Sequence, residues 1–248
     1  MKYIDSHVHL GDCRVFEFEV TESQLMKAME ENAIDASIVQ PCPFPLDYKN
    51  VHERIYALTQ QYPGKFYGMV SINPHIPKEQ YKSEVRHYVK DYGFVAIKMH
   101  TIGWALSPLA KDAEAMYEVA DELGVPIMIH TGIGVPYALP SLCLPVAKKY
   151  PNVKFILAHA GGQIYNAEAM IVAQECDNVY LDVTWVGIEE VCPFAEQLGS
   201  KRLLFASDSL KNISLEKRKY ELLGLNESEL EDVYYKNAIS VFNLKGFK

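Results

Sequence analysis

Tyr3-Ile4-Asp5-Ser6-His7-Val8-His9-Leu10-Gly11, almost at the start of the chain, alternates apolar and polar side chains and reads as a short strand. Successive side chains on a strand point to opposite faces, so strict alternation puts Asp5, His7 and His9 on one face and Ile4, Ser6 and Val8 on the other. Two imidazoles two residues apart on one face can both reach one metal ion. Gly11 is expected to end the strand. The pair alone does not separate metal ligands from two structural histidines. The positions of the remaining histidines decide.

The chain has 248 residues, 49% hydrophobic and 23% charged, the profile of an ordinary globular protein with a sizeable core. A net charge of -8 excludes the basic footprint that nucleic acid or an anionic membrane demands. No apolar run reaches the length of a membrane span, and the N-terminus lacks the layout of a signal peptide. The five cysteines are scattered and form no Cys-x-x-Cys pair, so free thiols in a reducing cytoplasm are expected.

Outward from the first strand, residues 12–20 read as a loop carrying Arg14. Thr21 with Gln24 three residues on has the form of a helix N-cap, and a helix is expected to about residue 32. Near-continuous apolar strands follow at 35–40, 66–72, 94–100, 125–130, 153–159, 178–184 and 202–208, each trailed by a helical stretch. The last helix is expected over 227–242. Strands of that kind belong to a parallel sheet covered on both faces. Eight β/α units in this length predict one domain, residues 1–248, of the α/β class with a (β/α)8 TIM barrel. A doubly wound sheet is the alternative, but no Gly-x-Gly-x-x-Gly turn follows an early strand.

The active site of such a barrel lies at the C-terminal ends of its strands. Those ends carry His7 and His9, then Lys98 and His100, His130, His159 and Asp208, so five of the eight histidines gather there. Neutral imidazoles and a carboxylate bind Zn²⁺ or a similar divalent cation, which activates a water and polarises a carbonyl. A neighbouring carboxylate or imidazole must then move the proton.

Asp5-Ser6-His7-Val8-His9, His130 in IMIHTG, His159 in ILAHAGG and Asp208 in FASDS resemble the amidohydrolase superfamily. Lys98-x-His100 and Asn237-Ala238-x-x-x-Phe242 resemble more narrowly its TIM-barrel branch that also contains aminocarboxymuconate-semialdehyde decarboxylase. The resemblance spans essentially the whole chain. It implies that His7, His9, His130 and Asp208 bind one metal, with zinc expected and manganese as the alternative. It makes Asp208 a base sharing the activated water, and His159 the acid/base imidazole or a ligand of a second metal. Lys98 is either a carbamylated bridge between two metals or an ammonium paired with Asp5 or Asp208. Asp5, with Lys98 and His159, belongs to a second metal or to the layer behind the ligands.

Arg14, Trp104, Tyr137, Trp185 and Lys211 follow strand ends and are expected to rim the mouth, with His100 facing the substrate. Arg14 is the candidate carboxylate clamp. The expected function is metal-dependent hydrolysis of a small amide, lactone or ester. The alternative is a decarboxylase or hydratase of a small unsaturated carboxylic acid on the same scaffold. A phosphoesterase or DNase would want Glu where the chain has Lys98 and His100, and a catalytically silent binding barrel would need no histidines there. The expected partner is a small molecule, with a homodimer left open.

Overall fold

Strand β1 runs from Ile4 to Cys13 and is the first stave of a barrel in the computed structural model, which describes residues 1–14 and 16–247. Seven parallel strands follow around it: β3 (Ala36–Pro41), β4 (Phe66–Val70), β5 (Ala96–Met99), β6 (Ile127–His130), β7 (Phe155–Ala158), β8 (Val179–Asp182) and β9 (Leu203–Leu204). The ring closes where Ser6 N–H donates to Phe205 O at 3.1 Å and Asp208 N–H donates to His7 O at 2.8 Å. The fold is the eight-stranded α/β barrel that the rhythm of apolar runs predicted.

Helices wrap this barrel: α1 (Glu22–Glu31), α2 (Tyr48–Gln61), α3 (Lys78–Lys90), α4 (Glu114–Leu123), α5 (Leu144–Lys149), α6 (Asn166–Glu175), α7 (Ile188–Leu198) and α8 (Ile213–Leu222). Thr21 and Gln24 form the expected capping box of α1, Gln24 N–H donating to Thr21 Oγ1 and Thr21 N–H to Gln24 Oε1. The closing stretch is α9 (Glu227–Glu231), a π-helical segment at Asp232–Lys236 and α10 (Asn237–Phe242).

Period two sorts each strand between two cores. Ile4, Ala36, Ile38, Met69, Ala96, Met128, Ile156 and Leu204 fill the lower barrel, where Val241, Phe242 and Leu244 plug its floor. Val39, Val70, Ile97, Ile129, Leu157 and Leu181 face the helices. One pleat above Ala96, Met128, Tyr180 and, two steps on, Leu204, the inward positions turn polar: Lys98, His130, Asp182 and Asp208.

Two expectations change at β1. Gly11 does not end the strand. At φ +91° it lets β1 continue beneath α2, where a Cβ would meet Val51 Cγ2 at 2.8 Å. The expected loop at 12–20 contains β2 (Phe18–Val20), which folds back antiparallel on β1, pairing Gly11 with Val20 and Cys13 with Phe18. The second change is a β-bulge. Asp5 pairs with Ser37 but Val8 pairs with Val39, so β1 carries one extra residue between them. Alternation is broken there, and Asp5 does not share a face with His7 and His9. It sits one register step from the inward Ile4–Ala36 pair, on the helix-facing side.

Candidate metal centre

His7 and His9 lie beyond the bulge, both inward. His7 Nδ1–H donates to Asp182 Oδ2 at 2.8 Å, and His9 Nδ1–H donates to Pro41 O at 3.0 Å. A carboxylate and a carbonyl only accept, so both rings keep their proton on Nδ1 and turn a bare Nε2 inward. These Nε2 atoms are 3.2 Å apart. Asp208 Oδ1 stands 3.1 Å from the first and 3.0 Å from the second. Three lone-pair atoms therefore converge with no proton of their own to share. Among the described residues the nearby donors are Lys98 Nζ, 2.9 Å from His7 Nε2, and the Gln40 amide, 3.5 Å from His9 Nε2. An ion with bonds of about 2.0–2.1 Å in a tetrahedral shell holds its ligand atoms about 3.3 Å apart, close to these separations. The donor set fits a divalent cation.

His7 also belongs to a second cluster with His159 and Asp182. His130 is in neither cluster among the described residues. Its Nε2–H donates to Ile133 O at 2.8 Å, which leaves Nδ1 as its bare nitrogen. The ring stacks on His100 at 4.8 Å and meets His159 edge-on at 4.9 Å. His100 Nδ1 accepts from Gly103 N–H at 2.9 Å, so its proton sits on Nε2, where it can donate to a substrate. His159 Nδ1 is bonded to Thr184 Oγ1 at 2.7 Å.

Electrostatics set the charge states of His7, His100, His130, His159, Asp208 and Lys98. Burial holds His7 and His100 well below the usual imidazole range, and takes His130 to about 4 and His159 to about 3. Burial would raise Asp208, but His7, His159 and His9 outweigh it and hold the carboxyl well below its usual range. Burial lowers Lys98 to about 8, against the pull of Asp208 and Asp182. Neutral imidazoles beside an ionised carboxylate are the states in which these groups bind metal.

Backbone strain gathers at the same place. His159, Trp185 and Asp208 have φ of +67°, +64° and +60°, and each follows the end of a barrel strand. The first of these opens a left-handed run through Gln163, held by Thr131, whose hydroxyl accepts Gly161 N–H at 3.0 Å and donates to Ala158 O at 2.8 Å. Gly132 is needed opposite this run, since a Cβ there would stand 2.8 Å from the Gly161 carbonyl carbon.

Other expected site residues are more dispersed. Asp5 fastens the barrel seam, accepting from Ser207 N–H at 3.0 Å and His7 N–H at 3.3 Å, and burial lifts it to about 7. It lies behind the His7–His9–Asp208 cluster rather than in it, and Lys98 contacts His7 instead of Asp5. Arg14 is exposed in the turn between β1 and β2. Tyr137 is exposed on the loop after β6, while Trp104 is half-buried against Phe44, ring centres 5.0 Å apart. Trp185 turns back over the mouth and donates from Nε1 to Asp208 Oδ2 at 2.7 Å. A cavity of about 640 Å³ reaches His9 and Asp208 between the β1–β2 arm, α1 and Ser209–Lys211.

Asp182 and Gln40 were not anticipated. Asp182 is fully buried and fixes both the tautomer and the orientation of His7. Its signal was a carboxylate ending the apolar run of β8. Gln40 ends the inward face of β3, and its Oε1 is buried with no partner among the described residues.

No curated protein sequence matches the chain. The fold is similar to that of 4-oxalomesaconate hydratase from Rhodopseudomonas palustris, at 20% identity and TM-score 0.74 over 97% of this chain and 95% of that one. A dihydroxybenzoic acid decarboxylase from Polaromonas, solved with bound manganese, is 16% identical with TM-score 0.75 over 98% and 97%. A probable 2-pyrone-4,6-dicarboxylic acid hydrolase from Acinetobacter baumannii is 14% identical with TM-score 0.71 over 98% and 100%. At these identities the likeness concerns the fold. The amidohydrolase family model matches residues 42–244, most of the barrel beyond β1. By that match and by its fold, the chain belongs to the amidohydrolase family.

Proposed function

We propose that this protein is a metal-dependent hydrolase of a small amide, lactone or ester. The observation that carries the reading is the meeting of His7 Nε2, His9 Nε2 and Asp208 Oδ1, three unprotonated atoms within 3.2 Å of one another. His7, His9 and Asp208 would hold the ion, with His130 completing the set through Nδ1. Zinc is the first candidate by its preference for imidazole, and manganese the second, as in the Polaromonas decarboxylase. When bound, the ion supplies a Lewis acid and lowers the pKa of a coordinated water.

The protein's own groups supply the remainder. Asp208, kept ionised, accepts the proton of the attacking water. His159 is neutral, and with the Thr184 hydroxyl accepting from Nδ1 its Nε2 is free to take a proton and return it to the leaving atom. His100 Nε2–H is a donor for the substrate's polar group, and the stack on His130 fixes its plane. The barrel floor is packed with apolar side chains, which leaves the strand ends as the side that water and substrate approach.

A second reading, a decarboxylase or hydratase, draws on the fold relatives of those activities. The exposed position of Arg14 speaks against a guanidinium clamp inside the site, and Lys98 is the buried cation such a substrate would meet.

Metal content of protein purified without chelator, followed by an amide, lactone, ester and carboxylate panel, tests both readings. About one equivalent of metal with turnover on the first three classes, abolished in a folded His130→Ala variant, supports the hydrolase. Carbon dioxide release or hydration alone would replace it with the second reading, and turnover by metal-free protein would overturn the metal-dependent scheme.

A further inference from the structure

Outside the barrel wall, two buried charges on α8 hold the loop that carries Trp185. Glu216 and Lys219 are 1% and 7% exposed, and their charged ends meet at 2.6 Å. Removing two charges from water costs free energy that their mutual attraction does not reliably return, so the contacts the pair makes are what account for its place. Lys219 Nζ donates to Val183 O at 2.9 Å and to Val186 O at 2.8 Å. Glu216 Oε1 accepts Trp185 N–H at 3.1 Å and the Asn212 amide at 2.8 Å. Three backbone atoms within four residues are thus pinned around Trp185, which is held in the left-handed region at φ +64°. That conformation lays the half-exposed indole over the mouth, where Nε1–H caps Asp208 Oδ2 at 2.7 Å and leaves Oδ1 facing His7 and His9.

We propose that the Glu216–Lys219 pair positions Asp208 by way of Trp185, presenting one carboxylate oxygen to the imidazoles and occupying the other. The effect on an ion rests on the metal reading above, while the indole contact stands without it. Neither charge touches the donor cluster, so both act at a distance, through the backbone of one loop.

The test uses the full chain with Trp104→Phe, a change that removes no hydrogen bond among the described residues, since Trp104 Nε1 is buried without a partner, and that keeps an aromatic ring beside Phe44. The chain has two tryptophans, so Trp185 is then the sole indole. In ¹⁵N-labelled protein its N–H resonance should lie downfield and exchange slowly, and should move in Asp208→Asn. Glu216→Gln/Lys219→Met removes both charges together and should shift it to the position of an indole bonded only to water, while Lys219→Arg should leave it in place. Zn²⁺ affinity, read by chelator competition, should fall about 10–100-fold in the charge-free variant. It should fall equally in Trp185→Phe and no further when the two changes are combined. If the charge-free variant does not fold, Glu216→Gln alone carries the same two readings. An unmoved resonance, or affinity losses that add in the combination, overturns the proposal. Should the parent bind no metal, the metal reading falls and the resonance alone decides this one.

Discussion

His7 Nε2 and His9 Nε2 face each other across 3.2 Å, and neither nitrogen carries a proton. Two acceptors at that distance repel unless a cation or donor stands between them. Both rings are held there by bonds on their far sides, to Asp182 and to the Pro41 carbonyl, so neither can turn away. The barrel therefore sustains an arrangement that is unfavourable by itself and favourable around a positive ion. Lys98 provides part of that charge from below.

Metal removal should accordingly lower stability as well as activity. Saturating Zn²⁺ or Mn²⁺ at 100 times its Kd adds about 2.7 kcal/mol to the folded state, if the unfolded chain does not bind it. A chain of this size should gain roughly 5–11 °C in Tm over chelated protein. The His7→Ala/His9→Ala variant should show no such gain. A Tm rise that persists in the variant would place the stabilising ion elsewhere.

Asp182 is the second point of failure. Asp182→Asn keeps the shape but lets the amide either donate or accept, so the His7 tautomer is no longer fixed. Metal affinity should drop about 10–100-fold with secondary structure unchanged. Competition against a chelator of known affinity measures this. Equal affinity in the variant would show that His7 is oriented by Lys98 and packing alone.

His159 should separate from the proposed ligands in its effects. His159→Gln removes the proton acceptor without touching His7, His9 or Asp208, so metal stoichiometry should stay at the parent value. With a hydrolysed substrate in hand, kcat should fall 10²–10⁴-fold, in the range general acid–base catalysis contributes. Loss of metal together with activity would instead make His159 a ligand.

The barrel was legible because its strands are buried on both faces, which writes them as apolar runs punctuated by Gly and Pro. The polar strand ends were legible for the same reason: Lys98, His130, His159 and Asp208 stand out against those runs. What escaped notice depends on partners far along the chain. The bulge at β1 arises from pairing with β3 and from the seam to Phe205–Asp208, and a strand read alone has no register. Strict alternation therefore groups Asp5 with the histidines, and the bulge separates them. Asp182 meets His7 across 175 residues, and Trp185 reaches Asp208 because α8 pins its loop. No local pattern carries either contact.

His52 yields a prediction about pH that is independent of the metal. It lies on α2, fully buried, with its ring 4.4 Å from that of Tyr88, and its Nε2 accepts Ser71 N–H at 3.0 Å. Burial takes it down to about 3. The unfolded chain protonates this side chain below about pH 6.5 while the folded chain does not, so between pH 6.5 and 3 the unfolded state holds more protons and stability falls as pH falls. The loss approaches about 1.4 kcal/mol per pH unit once well below 6.5, and above 6.5 it vanishes. His52→Gln keeps an acceptor for Ser71 N–H but does not titrate. Its urea midpoint should therefore decline less than the parent's from pH 7 to pH 4.5, by an amount worth about 2.5 kcal/mol. Parallel declines would mean that His52 takes up its proton in the folded state and that the α2–β4 contact opens to admit it.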